Sequence, residues 1–365
     1  MKITGFRFGR LRVPLRIPFK TIGRTAEATD DLVVMVDTDE GLVGYGSAVA
    51  SAKLTGETHG SMIHAICHHI APTVLAQDAE NISFLTRRVR TAIRSNSSAK
   101  AAVDIALHDL FGQRHGVSTY RLLGGGVPSL VTDITISIDY IDKMVTDAQE
   151  AIDRGFEALR IEVGKDPGVD IERVKAVFAA IAGRAVLRLD AGQGWTPKQA
   201  VRVICQLEEA GVQLDTIEYP VKGGDIAGLQ FVTERVEAPV VACVGDEGVI
   251  GATEIIQRRA ADIITFGLLK SGGITPAVQI CDLAAIHGVE CMLGCLLEGG
   301  ISSAAAAHLA VSRSDVITRV DLDGPSLGRF NPVESNVCFL DAEITINPTP
   351  GLGITAVHGL EPVPA

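Results

Sequence analysis

The stretch Val186-Leu-Arg-Leu-Asp-Ala-Gly-Gln-Gly-Trp195 sets one carboxylate, Asp190, at the tip of a short apolar strand. Gly192 and Gly194 end the strand immediately afterwards. The same arrangement recurs along the second half of the chain. Arg160 and Glu162 stand two apart near the end of Ala-Leu-Arg-Ile-Glu, and Glu218 ends Thr-Ile-Glu. Cys243 ends Pro-Val-Val-Ala-Cys, with Asp246-Glu247 just beyond it. Lys270 follows the next strand, Cys295 and Glu298 the one after, and Asp321 and Asp323 close the series. Any one of these acids can be read as a solvated cap or half of an ion pair; Asp190, for example, can cap a helix that begins near Thr196-Pro197. As a set, so many converging carboxylates repel one another unless a divalent cation or a cationic ligand sits among them. Oxygen donors in this number suit Mg²⁺. A Cys243 thiolate beside Asp190 and Glu218 would favour a softer ion such as Zn²⁺. Cys243 as a nucleophile lacks a base, because His287 and His308 do not fall at the strand tips.

These side chains need strands that all end on one side. From Val131 the pattern is strand then helix, in repeats of roughly the length of a βα unit. Strands are predicted at 134–138, 158–163, 186–190, 216–218, 239–243, 262–267, 290–293 and 316–322. Eight parallel strands alternating with helices predict a (β/α)₈ barrel, whose site lies at the strand C-termini. Ahead of it, strands are predicted at 3–8, 32–37 and 43–47, then helices over 57–75, 83–94 and 100–116. The fold class is therefore α/β, with residues 127–325 as the barrel and residues 1–126 plus 326–365 as an α+β capping domain.

The composition belongs to a globular protein. Of 365 residues, 47% are hydrophobic and 21% charged, which permits a large core. The net charge of −11 makes nucleic acid and anionic membranes poor partners. No apolar run is long enough to span a bilayer, and Met-Lys-Ile-Thr-Gly-Phe lacks the apolar core of a signal peptide. Seven scattered cysteines without a CxxC pair fit reduced thiols in a cytoplasm.

The chain resembles the enolase superfamily, within it the muconate-lactonising subgroup, and within that the dipeptide epimerases. The residues that carry the resemblance are Ala102-Val-Asp-Ile-Ala-Leu-His-Asp-Leu, Leu122-Leu-Gly-Gly, Asp190-Ala-Gly-Gln-Gly-Trp, Ile217-Glu-Tyr-Pro, Lys270-Ser-Gly-Gly-Ile and Asp321-Leu-Asp323. The resemblance implies proton abstraction α to a carboxylate, with a metal stabilising the enediolate and two lysines exchanging the proton from opposite faces. It implies Asp190 and Glu218 as metal ligands, with a third ligand at Cys243 by gap-free counting, or at Asp246 after a small shift. It also implies that Asp321 and Asp323 hold the substrate's α-ammonium, where two carboxylates suit a cationic amine.

The chain departs from the family's pattern at the catalytic lysines. Where the family carries Lys-x-Lys, this sequence has Arg160 and Glu162, and where it carries the sixth-strand lysine, this sequence has Gly267. Arginine stays protonated and cannot serve as a base. Glu162 is then the replacement base, Lys270 the opposing acid, and Arg160 a partner for the substrate carboxylate. Glu298 joins Asp321 and Asp323 as a substrate-binding candidate. The expected protein is a racemase- or epimerase-type isomerase acting on a dipeptide or N-acyl amino acid, Mg²⁺-dependent by resemblance and homo-oligomeric. Zn²⁺ and loss of the metal stay open. So do two other readings: a pocket-retaining binding protein without chemistry, and a lyase or cycloisomerase reaction in the same barrel.

Overall fold

The computed structural model describes residues 1–245 and 247–364, so the expectation placed on Asp246 lies outside the described residues. The barrel strands are β1 (Ile134–Ile136), β2 (Ala158–Glu162), β3 (Val186–Asp190), β4 (Leu214–Glu218), β5 (Val240–Cys243), β6 (Ile263–Phe266), β7 (Glu290–Leu293) and β8 (Ile317–Val320). They pair in sequence order, every neighbour parallel. The ring is brought together by the Asp133 N–H, which donates to Val320 O at 3.2 Å. The predicted (β/α)₈ architecture is present.

Strand alternation explains how the barrel is filled. Leu159, Ile161, Leu187, Leu189 and Ile217 point outward into the core beneath the surrounding helices. The alternate residues face the axis and are largely polar. Register sets Arg160 beside Arg188 and Glu162 beside Asp190, with Asp190 beside Glu218 on the next strand. One layer below the mouth, Arg188 donates to Asp133 at 2.7 Å and to Asp215 at 2.8 Å. Arg188 is thereby committed to the barrel's interior.

The cap is a four-stranded antiparallel sheet in the order Glu361–Val363, Ile3–Lys20, Thr25–Thr38, Val43–Val49. The first two long strands run well past the predicted 3–8 and 32–37. Leu11, Val13 and Leu15 alternate with Arg12, Pro14 and Arg16, the pattern of a strand with one buried side. Their connecting turn, residues 21–24, reaches the barrel mouth.

The helix Ser97–His115 lies against this sheet and is buried along most of its length. The approach requires glycine: a Cβ on Gly46 would stand 1.9 Å from Ala102 O, and one on Gly44 would stand 2.3 Å from Ala106 O. Gly46→Ala is therefore expected to destabilise the protein, at or beyond the upper end of the usual overpacking cost of about 1–3 kcal/mol. Urea melts with an unchanged midpoint would contradict this. The segment predicted as one helix over 57–75 is instead His59–Ala65, a π-turn at Ile66–Ile70 and Ala71–Val74. Pro72 lacks an N–H and its ring crowds the carbonyl four residues earlier, which a wider turn relieves.

Candidate active site

The strand tips converge as the sequence spacing requires, and Arg160 stands at the centre. Its Nη1 donates to Glu162 Oε1 at 3.0 Å, and its Nε donates to Glu218 Oε1 at 3.2 Å. Its Nη2 donates to Asp190 Oδ2, and Asp321 Oδ2 lies 3.7 Å from Nε. The planar guanidinium fork can meet several carboxylates at once, which a lysine ammonium on the same stem could not do with fixed geometry. Burial works against the charge on Arg160, but Asp190, Glu218, Asp321 and Glu162 outweigh it and hold the group protonated.

The surrounding acids are shifted the other way. Burial pushes Glu162 well above the usual carboxylate range, helped by Asp190 and countered by Arg160. Burial likewise raises Glu218 to about 7. Glu162 has one oxygen tied to Arg160, and its Oε2 is buried with no hydrogen-bond partner among the described residues.

Across the ring, Lys270 sits on the short helix Leu268–Ser271 that follows β6, four places round from β2. Its Nζ lies 3.2 Å from Tyr219 Oη and 3.7 Å from Cys243 Sγ. Burial raises the Tyr219 phenol, as does neighbouring Cys243.

Asp321 and Asp323 face the same space. Asp323 accepts from the Thr135 N–H at 2.9 Å, while Asp321 Oδ1 is buried without a hydrogen-bond partner among the described residues. Burial, then Asp321, raises Asp323 to about 7. Cys295 Sγ is 3.9 Å from Asp323 Oδ1. Glu298 is placed differently from its expectation. It turns back to accept from the Leu296 N–H at 3.0 Å and lies outside the lining of the mouth cavity.

That cavity has a volume of about 190 Å³, and Arg160, Glu162, Asp190, Lys270, Asp321 and Asp323 all line it. The cap closes one side through Phe19, Ile22 and Arg24. Arg24 donates to Leu296 O at 3.2 Å, and burial lowers its pKa. A second cavity of about 660 Å³ shares Leu54, Gln193, Tyr219 and Lys270 with the first. Gln193, Tyr219 and Leu297 on the cavity wall all have φ near +48 to +66°, unusual for residues with a Cβ and typical of functional rims. Nothing in the sequence marks Phe19, Ile22 or Arg24, and Gln193 and Tyr219 stand out only as members of Asp190-Ala-Gly-Gln-Gly-Trp and Ile217-Glu-Tyr-Pro. The alternation of Leu11, Val13 and Leu15 was the available signal for the cap turn.

Two domain models match the chain: "Mandelate racemase / muconate lactonizing enzyme, N-terminal domain" over residues 4–124 and "Enolase C-terminal domain-like" over residues 143–358. The chain belongs to this enolase-superfamily family. The family's L-Ala-D/L-Glu epimerase from Clostridium acetobutylicum is 42% identical over 361 residues, covering 98% of this chain and 100% of that one. The L-Ala-D/L-Glu epimerase from Bacillus subtilis is 37% identical over 358 residues, covering 97% of each chain. A substrate-liganded structure of the B. subtilis epimerase superposes with a TM-score of 0.95 at 36% identity, covering 98% of this chain and 99% of that one. The dipeptide epimerase from Enterococcus faecalis, solved with Mg and the dipeptide L-Leu-L-Tyr, gives a TM-score of 0.92 at 35% identity, covering 98% and 100%.

Dipeptide epimerases of the family have thus been solved with Mg, and the donor set here can be tested against such an ion. Both expected ligands at the centre, Asp190 and Glu218, already receive Arg160. A divalent ion roughly 4 Å from the guanidinium would be opposed by about 8 kcal/mol at an effective dielectric of about 20. Cys243 is not brought together with Asp190 and Glu218. Among the described residues the one group of three His, Cys, Asp or Glu ligand atoms lying within 4.8 Å of one another is Cys295, Asp321 and Asp323. The residues at Asp190 and Glu218 do not fit a divalent ion in this arrangement.

Proposed function

We propose that the chain is a dipeptide epimerase that inverts a carbon α to a carboxylate. The free α-ammonium of the dipeptide is held by Asp321 and Asp323; one of Glu162 and Lys270 removes the α-proton from its face, and the other delivers a proton to the opposite face. The observation that carries the reading is Glu162, with one oxygen fixed by Arg160 and the other uncommitted, on the wall of the same cavity as Lys270 and opposite it in the ring. A carboxyl group whose pKa is raised by burial holds an abstracted proton more firmly than an ordinary carboxylate, which suits a general base. Deprotonation loads charge onto the substrate carboxylate, and Arg160, Arg24 and Lys270 are cations lining the cavity to meet it. The names of the relatives support the reaction class and the dipeptide substrate.

Incubation in D₂O with L-Ala-L-Glu and with hydrophobic dipeptides tests the reading by proton NMR. Loss of the α-proton signal with appearance of the epimer is expected. A protein that binds dipeptides and exchanges none of them is a binding protein, and the proposal fails. Asp321→Asn should weaken binding of a free-amine dipeptide by about 1.5–3 kcal/mol, the worth of a hydrogen bond to a charged group. An N-acetylated dipeptide should bind the wild type and the variant alike; equal losses for both ligands would refute the ammonium role.

No helix among the described residues is long and apolar enough to cross a membrane, and the seven cysteines are free thiols. Free thiols support a reducing, cytoplasmic location. A homo-oligomer is the assembly we expect, and light scattering reads it directly.

A further inference from the structure

We propose that Arg160 is the resident cation of this site: its guanidinium takes the place between Asp190 and Glu218 where the family's divalent ion would bind, so the protein holds no divalent metal there. The role of Arg160 toward a substrate rests on the epimerase reading; the exclusion of metal does not.

Four carboxylates, those of Glu162, Asp190, Glu218 and Asp321, lie within ion-pair distance of this one side chain. A divalent ion normally answers such a concentration of negative charge, and here a permanent charge on the chain answers it instead. Both oxygens of Asp190 are already engaged, Oδ2 by Arg160 and Oδ1 by the Gly192 N–H at 2.7 Å, so a metal would have to share them with these donors. Glu218 gives Oε1 to Arg160 Nε. Swinging Arg160 aside would break these pairs together and leave a guanidinium unpaired in a buried place, which is costly. Arg160 is only 9% exposed and is anchored mid-strand, so it has little room to do so.

By gap-free counting the third corner is altered as well; the alternative there, Asp246, lies outside the described residues. On β5, next to Glu218 in the ring, stands Cys243, whose sulfur is engaged with Lys270. Mg²⁺ prefers hard oxygen donors in octahedral array, so a thiol at this position adds nothing for it. The fork of Arg160 uses one N–H each for Glu162, Glu218 and Asp190. Two of the five guanidinium N–H groups are left for a ligand oxygen. They can donate to a substrate carboxylate, where a metal would otherwise have received it.

The test uses Mn²⁺ as the probe, followed by electron paramagnetic resonance and by metal analysis after desalting. Wild-type protein is expected to show no Mn²⁺ binding that Asp190→Asn removes. Arg160→Ala is expected to gain roughly one Mn²⁺ per chain, because it exposes Asp190 and Glu218 as oxygen donors. That ion should be lost again in Arg160→Ala combined with Asp190→Asn. Proton exchange by the wild type should be unchanged by EDTA. The proposal is overturned if the wild type binds Mn²⁺ in a way that Asp190→Asn abolishes, or if EDTA stops exchange and Mg²⁺ restores it. It is also overturned if Arg160→Ala folds, by circular dichroism and thermal melting, and takes up no ion. Should Arg160→Ala fail to fold, the wild-type and Asp190→Asn titrations decide the matter. Wild-type protein that binds no Mn²⁺ and exchanges no proton keeps this inference and removes the epimerase reading, so the two fail separately.

Discussion

Glu162→Gln is expected to lower epimerisation by about 10²–10⁴-fold, the usual contribution of a positioned general base. The substitution keeps the shape of the side chain and an oxygen that can still accept from Arg160 Nη1, now at 3.0 Å from Glu162 Oε1. What it removes is the capacity to take a proton. The loss should be one-sided. Glu162 stands on β2 and, as the proposed base, would act on the face of the substrate turned toward that strand, so the epimer that presents its α-proton there should stop exchanging in D₂O. The opposite epimer should still wash out its proton through Lys270. This asymmetry separates a base from a structural residue: damage to the pocket would slow both epimers together. A variant that exchanges both at wild-type rates shows that Glu162 is not the base.

The barrel was legible in the sequence because charged residues at the ends of apolar runs are conspicuous. Ala-Leu-Arg-Ile-Glu and Val-Leu-Arg-Leu-Asp fix both a strand and its inward face, and β2 and β3 fall within a residue of expectation. Residue types also marked Asp321 and Asp323 as a pair on the cavity wall. What the sequence could not supply was reach. Nothing local says that Arg160 extends across to Glu218 on β4 and toward Asp321 beyond β8, and that reach turns an expected metal site into an ion-paired cluster. Glu298 went astray for the opposite reason. Its position after β7 is correct, but a turn lets it satisfy the Leu296 N–H two residues back, and it never enters the cavity.

The cap strand predicted at 3–8 stops well short of the observed one. The backbone instead continues to Lys20 with alternating burial, since one side of the sheet edge packs and the other meets water. The added length of the strand matters for the site. The turn at residues 21–24 brings Ile22 and Arg24 to the cavity wall, so the cap contributes an apolar surface and a cation to a site otherwise built from strand tips.

Lys270→Met should produce the mirror image of the glutamate variant, with a comparable loss of about 10²–10⁴-fold in epimerisation. Methionine retains an unbranched apolar stem against the Tyr219 ring, over which the Lys270 ammonium now sits 5.3 Å from the centroid. Exchange from the face served by Lys270 should vanish, while exchange through Glu162 persists. The two groups should also differ in how they return a proton. An ammonium carries three equivalent hydrogens, so a proton taken from the substrate is diluted by two solvent-derived deuterons before it goes back. A carboxyl group holds a single proton, and Glu162 keeps it in a buried place. The proton that Glu162 abstracts should therefore return to the substrate more often than the one Lys270 abstracts. In wild-type protein the epimer deprotonated by Lys270 should accumulate deuterium faster, relative to its inversion, than the epimer deprotonated by Glu162. Equal deuterium incorporation per inversion in both directions would show that the two sides do not bear a lysine and a carboxylate. Loss of exchange from both epimers in Lys270→Met, with folding intact, would place Lys270 in substrate binding and leave Glu162 without its partner.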